Sequence, residues 1–149
     1  IFLGATINTP SMLAVEDYLF SLKWVRSIGG LDGMISRCNL NAGVIFDFIE
    51  ESSWLKNLAE SLDTRSNTSV CLVFDDSRIE NEKQFAKNLC ARLEKEGVAF
   101  DIGSYRDAPA GLRIWCGGTV ELDSLRSLVI WIKWAFEMEI SSLENNSEK

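Results

Sequence analysis

The apolar residues change period at Ser69, and that change constrains the fold more than any other feature of the chain. Val70-Cys71-Leu72-Val73-Phe74 is a short β-branched and apolar run, the pattern of a buried strand, and Asp75-Asp76-Ser77 closes it as a turn. Glu82 to Glu96 is amphipathic, with Phe85, Leu89 and Leu93 four apart and Gly97 as terminator, so a helix is expected there. Val98, Phe100 and Ile102 alternate with Ala99 and Asp101, which predicts a strand with one buried face. Leu112, Ile114 and Cys116 alternate likewise. Gly117-Gly118 breaks the pattern, and Thr119, Glu121 and Asp123 open a last helix to about Glu139. Strand, helix, strand, strand, helix predicts an α/β sandwich: a three-stranded sheet with helices covering one face.

The residues before Ser69 carry a helical period instead. Thr9-Pro10-Ser11 reads as a helix start, with Thr9 as cap and Pro10 at the first helical position, where its missing N–H costs nothing. Gly29-Gly30 ends that helix. A second is expected from Leu31 to about Glu51, where Met34, Ile35, Val44, Ile45, Phe48 and Ile49 recur at helical spacing. Neither helix has a strand of its own to cover, so both need another surface for their apolar faces. The expected organisation is a helical linking segment over 1–60, a small α/β domain over 61–140 and a frayed polar tail over 141–149. The opening Ile1-Phe2-Leu3-Gly4, without Met, reads as the middle of a longer protein.

Composition narrows the function classes. Of 149 residues, 46 % are hydrophobic and 25 % charged, ordinary for a globular chain. Fifteen basic against 22 acidic residues give a net charge of −7, which argues against nucleic acid as a partner. The absence of histidine removes the commonest general base and most zinc and haem sites, so no metal is expected. Four cysteines (Cys38, Cys71, Cys90, Cys116) lack CxxC spacing and read as buried reduced thiols, which points to the cytoplasm. The most apolar stretch, Leu128 to Phe136, is interrupted by Lys133 and too short to span a bilayer, so no membrane association is expected.

Two constellations could carry chemistry. Asn8-Thr9-Pro10-Ser11 at a helix N-terminus offers free backbone N–H groups, a hydroxyl and an amide, a donor set that suits a phosphate but equally suits a plain helix cap. The second runs from Tyr105 to Gly118 and holds Arg106 and Arg113 with Asp107 as its only acid. Guanidinium groups bind carboxylate and phosphate in bidentate fashion. Alternation places Arg113 on the face opposite Leu112 and Ile114. A solvated surface pair remains the other reading of these arginines. The acidic pairs Glu50-Glu51 and Asp75-Asp76 read as solvated, and Trp131 with Trp134 as core or interface.

Ile7-Asn8-Thr9-Pro10-Ser11-Met12-Leu13, followed by Val15-Glu16-Asp17-Tyr18, resembles the segment after the cofactor lysine in phosphoserine aminotransferases. Arg65 to Leu72 resembles the first strand of their C-terminal domain. Gly97 to Pro109, running into Gly111-Leu112-Arg113-Ile114-Trp115-Cys116-Gly117, resembles their substrate-binding end. The resemblance covers roughly Asn8 to Phe136. It implies the C-terminal part of a fold-type-I enzyme using pyridoxal 5′-phosphate, which moves the amino group of L-glutamate onto 3-phosphohydroxypyruvate in serine biosynthesis. It further implies that Asn8 and Thr9 contact the cofactor phosphate, typically of the neighbouring subunit in a homodimer, and that Arg113 holds the substrate α-carboxylate. Arg106 stands where the family often has histidine near the substrate phosphate, a departure that keeps a cation. None of the chain's lysines stands where the family places its Schiff-base lysine, so no catalytic residue is assigned and the isolated segment is expected to be inactive. Two other readings stand beside it: a standalone small α/β module binding an amino acid or another anion, and a different class V aminotransferase such as the alanine–glyoxylate type.

Overall fold

A computed structural model describes residue 4 and residues 6–147. The opening Ile1-Phe2-Leu3 and the final Lys149 lie outside the described residues. The elements run α1 (Met12–Ser27), α2 (Gly30–Glu51), β1 (Leu55–Asn57), a short 3-10 turn (Leu62–Thr64), β2 (Ser69–Phe74), α3 (Glu82–Lys95), β3 (Gly111–Trp115) and α4 (Leu122–Ser147). Among the described residues no helix is long and apolar enough to cross a membrane. The chain divides into two compact units, Ile1–Ser36 and Arg37–Lys149.

In the first unit, Ser11 and not Thr9 caps α1. The Ser11 hydroxyl accepts from the Ala14 N–H at 3.4 Å, and its carbonyl accepts from the Val15 N–H. Pro10 therefore precedes the cap instead of opening the helix. A serine fits the cap role as well as a threonine does, and here it is the residue next to the first helical turn. None of the residues of α1 is buried. Met12, Leu13, Tyr18 and Phe20 all stand exposed. Gly29 and Gly30 take positive φ values after α1, the conformation that glycine adopts without penalty.

The second unit holds the core. Its sheet is antiparallel in the order β1-β2-β3, with Val70 opposite Ile114, Leu72 opposite Leu112 and Phe74 opposite Leu55. These residues form one buried face, and α3 and α4 supply Phe85, Leu89, Leu93, Ile132, Ala135 and Phe136 to the same core. Trp54 stacks on Phe136 with centroids 3.7 Å apart, and Phe85 meets Phe74 and Phe136 edge-on. Ser69, Cys71, Val73 and Arg113 face the other way and are only partly buried. The expected α/β architecture with one helix-covered sheet face is what forms.

Three expectations on its details need correction. The third strand is Leu55–Asn57, a stretch with no legible period, and not 98–102. Asp101 adopts a left-handed φ of 54°, which interrupts the extended run. Among the described residues the backbone of this stretch is joined to the edge of β3 by an isolated bridge from Gly103 to Leu112, a bond from the Arg113 N–H to the Ile102 carbonyl (2.7 Å) and one from the Ser104 N–H to the Gly111 carbonyl (3.3 Å), short of a strand ladder. Next, the expected boundary at residue 60 falls inside the second unit, because Leu55–Asn57 pairs with β2 while Ala42 and Ile45 of α2 sit in the core. Lastly, α4 does not end near Glu139 but continues to Ser147, into the expected tail. Ile140 is buried there, and Ser141, Ser142 and Asn145 bond back to carbonyls four residues earlier, so their polar groups are satisfied within the helix.

Candidate functional site

Arg113 is the centre of the candidate site on the second unit. Strand alternation sends Leu112 and Ile114 into the core and Arg113 to the opposite face, as its neighbours in sequence predict. Its side chain is 16 % exposed. Three contacts hold the guanidinium. The Tyr105 ring lies beneath it with Cζ 4.4 Å from the centroid, while Nη2 donates to the Asp101 carbonyl at 3.2 Å and to the Asp101 carboxylate at 3.1 Å. Nε is buried and has no partner. The arginine is therefore fixed in place while part of its donor capacity is unused.

Arg106 lies elsewhere. It is exposed on the 103–110 loop and lines a cleft of about 490 Å³ with Lys83, Lys87, Cys90, Ser104 and Tyr105. Arg113 instead borders a cavity of about 20 Å³ with Leu58, Cys71, Tyr105 and Pro109. Tyr105 lines both, so the loop separates the two arginines within this unit. They do not share one cavity here. Among the described residues Arg106 takes part in no ion pair.

Beyond Arg113, the Trp115-Cys116-Gly117-Gly118 string has a steric cause. A Cβ on Gly117 would lie 2.2 Å from Cζ2 of the Trp115 ring, so the indole occupies the space any other residue would need. Gly111 is equally constrained, since a Cβ there would meet the Leu72 carbonyl oxygen at 1.8 Å. Polar groups on α2 then tie down the loop. Arg37 donates through Nε to the Gly118 carbonyl at 2.7 Å and pairs with Glu121. Asn41, 2 % exposed, donates through Nδ2 to the carbonyls of Cys116, Gly117 and Val120. Burial, reinforced by the neighbouring Cys38 thiol, pushes the Cys116 thiol up to about 12.

In the first unit, Asn8 and Thr9 are exposed in the loop before the Ser11 cap. The first turn of α1 carries no acidic residue, which leaves the positive end of the helix uncompensated. Sequence alone thus points to Asn8, Thr9, Arg106 and Arg113, but it gives no role to Asp101, Tyr105, Arg37 or Asn41. Asp101 is hidden inside an apparent strand pattern. The signal that could have found it is that Asp, with Asn, is enriched at positive φ, next to a segment rich in Gly and Pro.

The comparisons with known proteins bear on this arrangement. No family model matches the chain. Phosphoserine aminotransferase from Methanosarcina barkeri is 54 % identical over 138 residues, which are 93 % of this chain and 36 % of that protein. Its counterpart from Methanosarcina mazei is 52 % identical over the same shares. Among solved structures, phosphoserine aminotransferase from Bacillus circulans subsp. alkalophilus superposes with a TM-score of 0.76 at 23 % identity, covering 88 % of this chain and 34 % of that one. The pyridoxal-phosphate-bound enzyme from Trichomonas vaginalis gives 0.74 at 17 % identity, with 86 % and 34 % covered. The chain spans about a third of the length of the relatives it matches. In sequence and in fold, then, it corresponds to the C-terminal portion of the phosphoserine aminotransferases.

Proposed function

We propose that the full protein transfers the amino group of L-glutamate to 3-phosphohydroxypyruvate, giving phosphoserine for serine biosynthesis. In this reading it works in the cytoplasm as a homodimer with pyridoxal 5′-phosphate. The observation that carries the proposal is Arg113: a guanidinium fixed over Tyr105 on the open face of the sheet, with donors to spare, inside the residue string that resembles the family's substrate-binding end.

Arg113 binds the substrate α-carboxylate through charge-assisted bonds and fixes which end of the substrate faces the reacting carbon. Arg106 is assigned to the phosphate end. The exposed donors of Asn8 and Thr9, beside a helix N-terminus free of acids, fit the cofactor phosphate, and the phosphate assigned to them is that of the neighbouring subunit. When bound, pyridoxal 5′-phosphate supplies the electron sink for moving the amino group. Lys23, Lys56, Lys83, Lys87, Lys95 and Lys133 are all exposed, so the lysine that carries the cofactor is assigned to the part of the relatives' length that this chain does not span. The exposed apolar side chains of α1 agree with a cover supplied from that part.

The test is phosphoserine formation by the purified full-length protein loaded with cofactor. Glutamate-dependent phosphoserine should appear in step with 2-oxoglutarate, and hydroxypyruvate without its phosphate should be used far less well. Arg106→Ala should narrow that preference. A folded, loaded protein that forms no phosphoserine, or that prefers alanine and glyoxylate, refutes the proposal.

A further inference from the structure

We infer that Asp101 is a built-in placeholder for the substrate carboxylate: its own carboxylate occupies Arg113 when the site is empty and must leave when substrate arrives. The inference rests on the proposed role of Arg113 and adds a residue that sets affinity at that same position.

Two contacts fix the Arg113 guanidinium without any formal charge, the Tyr105 ring beneath it and the Asp101 backbone carbonyl beside it. The third partner is the Asp101 carboxylate, on the same Nη2 that takes the carbonyl. That side chain is 93 % exposed, and none of the described hydrogen bonds gives it a second partner. Breaking the contact therefore returns an exposed carboxylate to water at little cost to Asp101 itself, while ring and carbonyl keep the guanidinium in position. The guanidinium is mostly buried, at 16 % exposed, and would be costly to leave without a carboxylate, so the incoming one takes the place of the one that leaves.

An incoming α-carboxylate needs the donors of one guanidinium edge. Nη2 is shared by both edges and Asp101 takes it twice, through its carbonyl and through its carboxylate, so an approach to either edge meets Asp101, and of the two groups the side-chain carboxylate is the one that can move aside. Two carboxylates cannot share that donor without repulsion, and exchange is one for one. Net charge at Arg113 is the same before and after. Asp101 makes this contact from a left-handed backbone (φ 54°), a conformation in which Asp is tolerated better than most residues.

The test uses the full-length protein and two variants that accept a positive φ, Asp101→Asn and Asp101→Gly. Both remove the competing charge, and Asn keeps the shape. KM for 3-phosphohydroxypyruvate is expected to fall by about 1.5- to 5-fold in each, the range for an exposed pair, with the change carried by KM and not by kcat. Binding of maleate, a dicarboxylate with no amino group, should tighten by a similar factor in calorimetry. A rise in KM in both variants would show that Asp101 positions Arg113 instead of competing for it, and unchanged values would show that it does neither; each overturns the inference. Arg113→Lys separates this from the underlying reading. If it raises KM strongly while the Asp101 variants do nothing, only the placeholder fails. If it too leaves KM unchanged, the role of Arg113 fails with it.

Discussion

Asn41 should be among the most sensitive polar positions in the second unit, and what replaces it should matter as much as its loss. Its amide sits 2 % exposed against three carbonyls, those of Cys116, Gly117 and Val120, at 3.2, 3.2 and 2.9 Å. Two N–H groups are shared among these acceptors. Asn41→Ala removes both donors: the Gly117 carbonyl keeps the Val120 N–H and the Val120 carbonyl keeps Arg37 Nη2, so those two lose a bond each, while the Cys116 carbonyl loses the amide that satisfies it, at about 1–3 kcal/mol if water cannot reach it. Because Arg37 still bonds to Gly118, part of the loop stays tied, and about 2–4 kcal/mol is the expected loss. For a chain of 149 residues that corresponds to a fall in Tm of roughly 5–15 °C. Asn41→Asp should be worse near neutral pH, since an ionised carboxylate would face three carbonyl oxygens and its folded pKa must rise. Between the unfolded value near 4 and the raised folded value, the folded state binds the extra proton, so stability falls with rising pH by about 1.4 kcal/mol per unit. This variant should therefore regain stability on acidification, opposite to ordinary carboxylate behaviour. Urea unfolding followed by far-UV circular dichroism between pH 4.5 and 7.5 checks both variants. Equal stability of Asn41→Ala and wild type, or an Asp variant whose stability rises with pH, would refute the claim that this amide holds the loop.

Other consequences follow from the same contacts. Gly111→Ala should cost about 3 kcal/mol or more, since its Cβ would strike the Leu72 backbone and part β2 from β3; a loss under about 1 kcal/mol in urea unfolding contradicts that geometry. The Cys116 and Cys90 thiols, pushed up to about 12 and about 11, chiefly by burial, should stay protonated at pH 8. Iodoacetamide should modify Cys116 quickly only after unfolding, and its rapid native-state labelling seen by peptide mass spectrometry would count against its burial.

Much of this molecule is legible in its sequence because the strongest signals are periodic. The Val70–Phe74 run, the Phe85-Leu89-Leu93 spacing and the Leu112/Ile114 alternation each report a buried face, and burying apolar surface is what chiefly drives folding. Arg113 is visible for the same reason, since a charge between two core residues on a strand must point away from them. Features set by tertiary pairing are not legible. Leu55–Asn57 is too short to show a period and becomes a strand only because β2 pairs with it. Val98–Ile102 has the period without the strand: the backbone bends at Val98, Phe100 and Asp101, the last with a left-handed φ, and Phe100 is left exposed while Ala99 is buried. The helical character of the chain after Ile140 depends on hydroxyl and amide groups bonding back to the helix, and composition alone reads that stretch as a tail. Asn41 looks like any polar residue on a helix until its three carbonyl partners are placed.

Arg113 as the group that grips the substrate carboxylate is the claim on which the proposed chemistry depends. Lysine at this position keeps a charge but loses the planar fork and its stacking on Tyr105. With charge-assisted bonds worth about 1.5–3 kcal/mol each, losing one of them should lower kcat/KM of the full-length protein for 3-phosphohydroxypyruvate by about 10-fold to about 150-fold. An Arg113→Lys protein with native circular dichroism whose kcat/KM stays within about 3-fold of wild type would contradict that role.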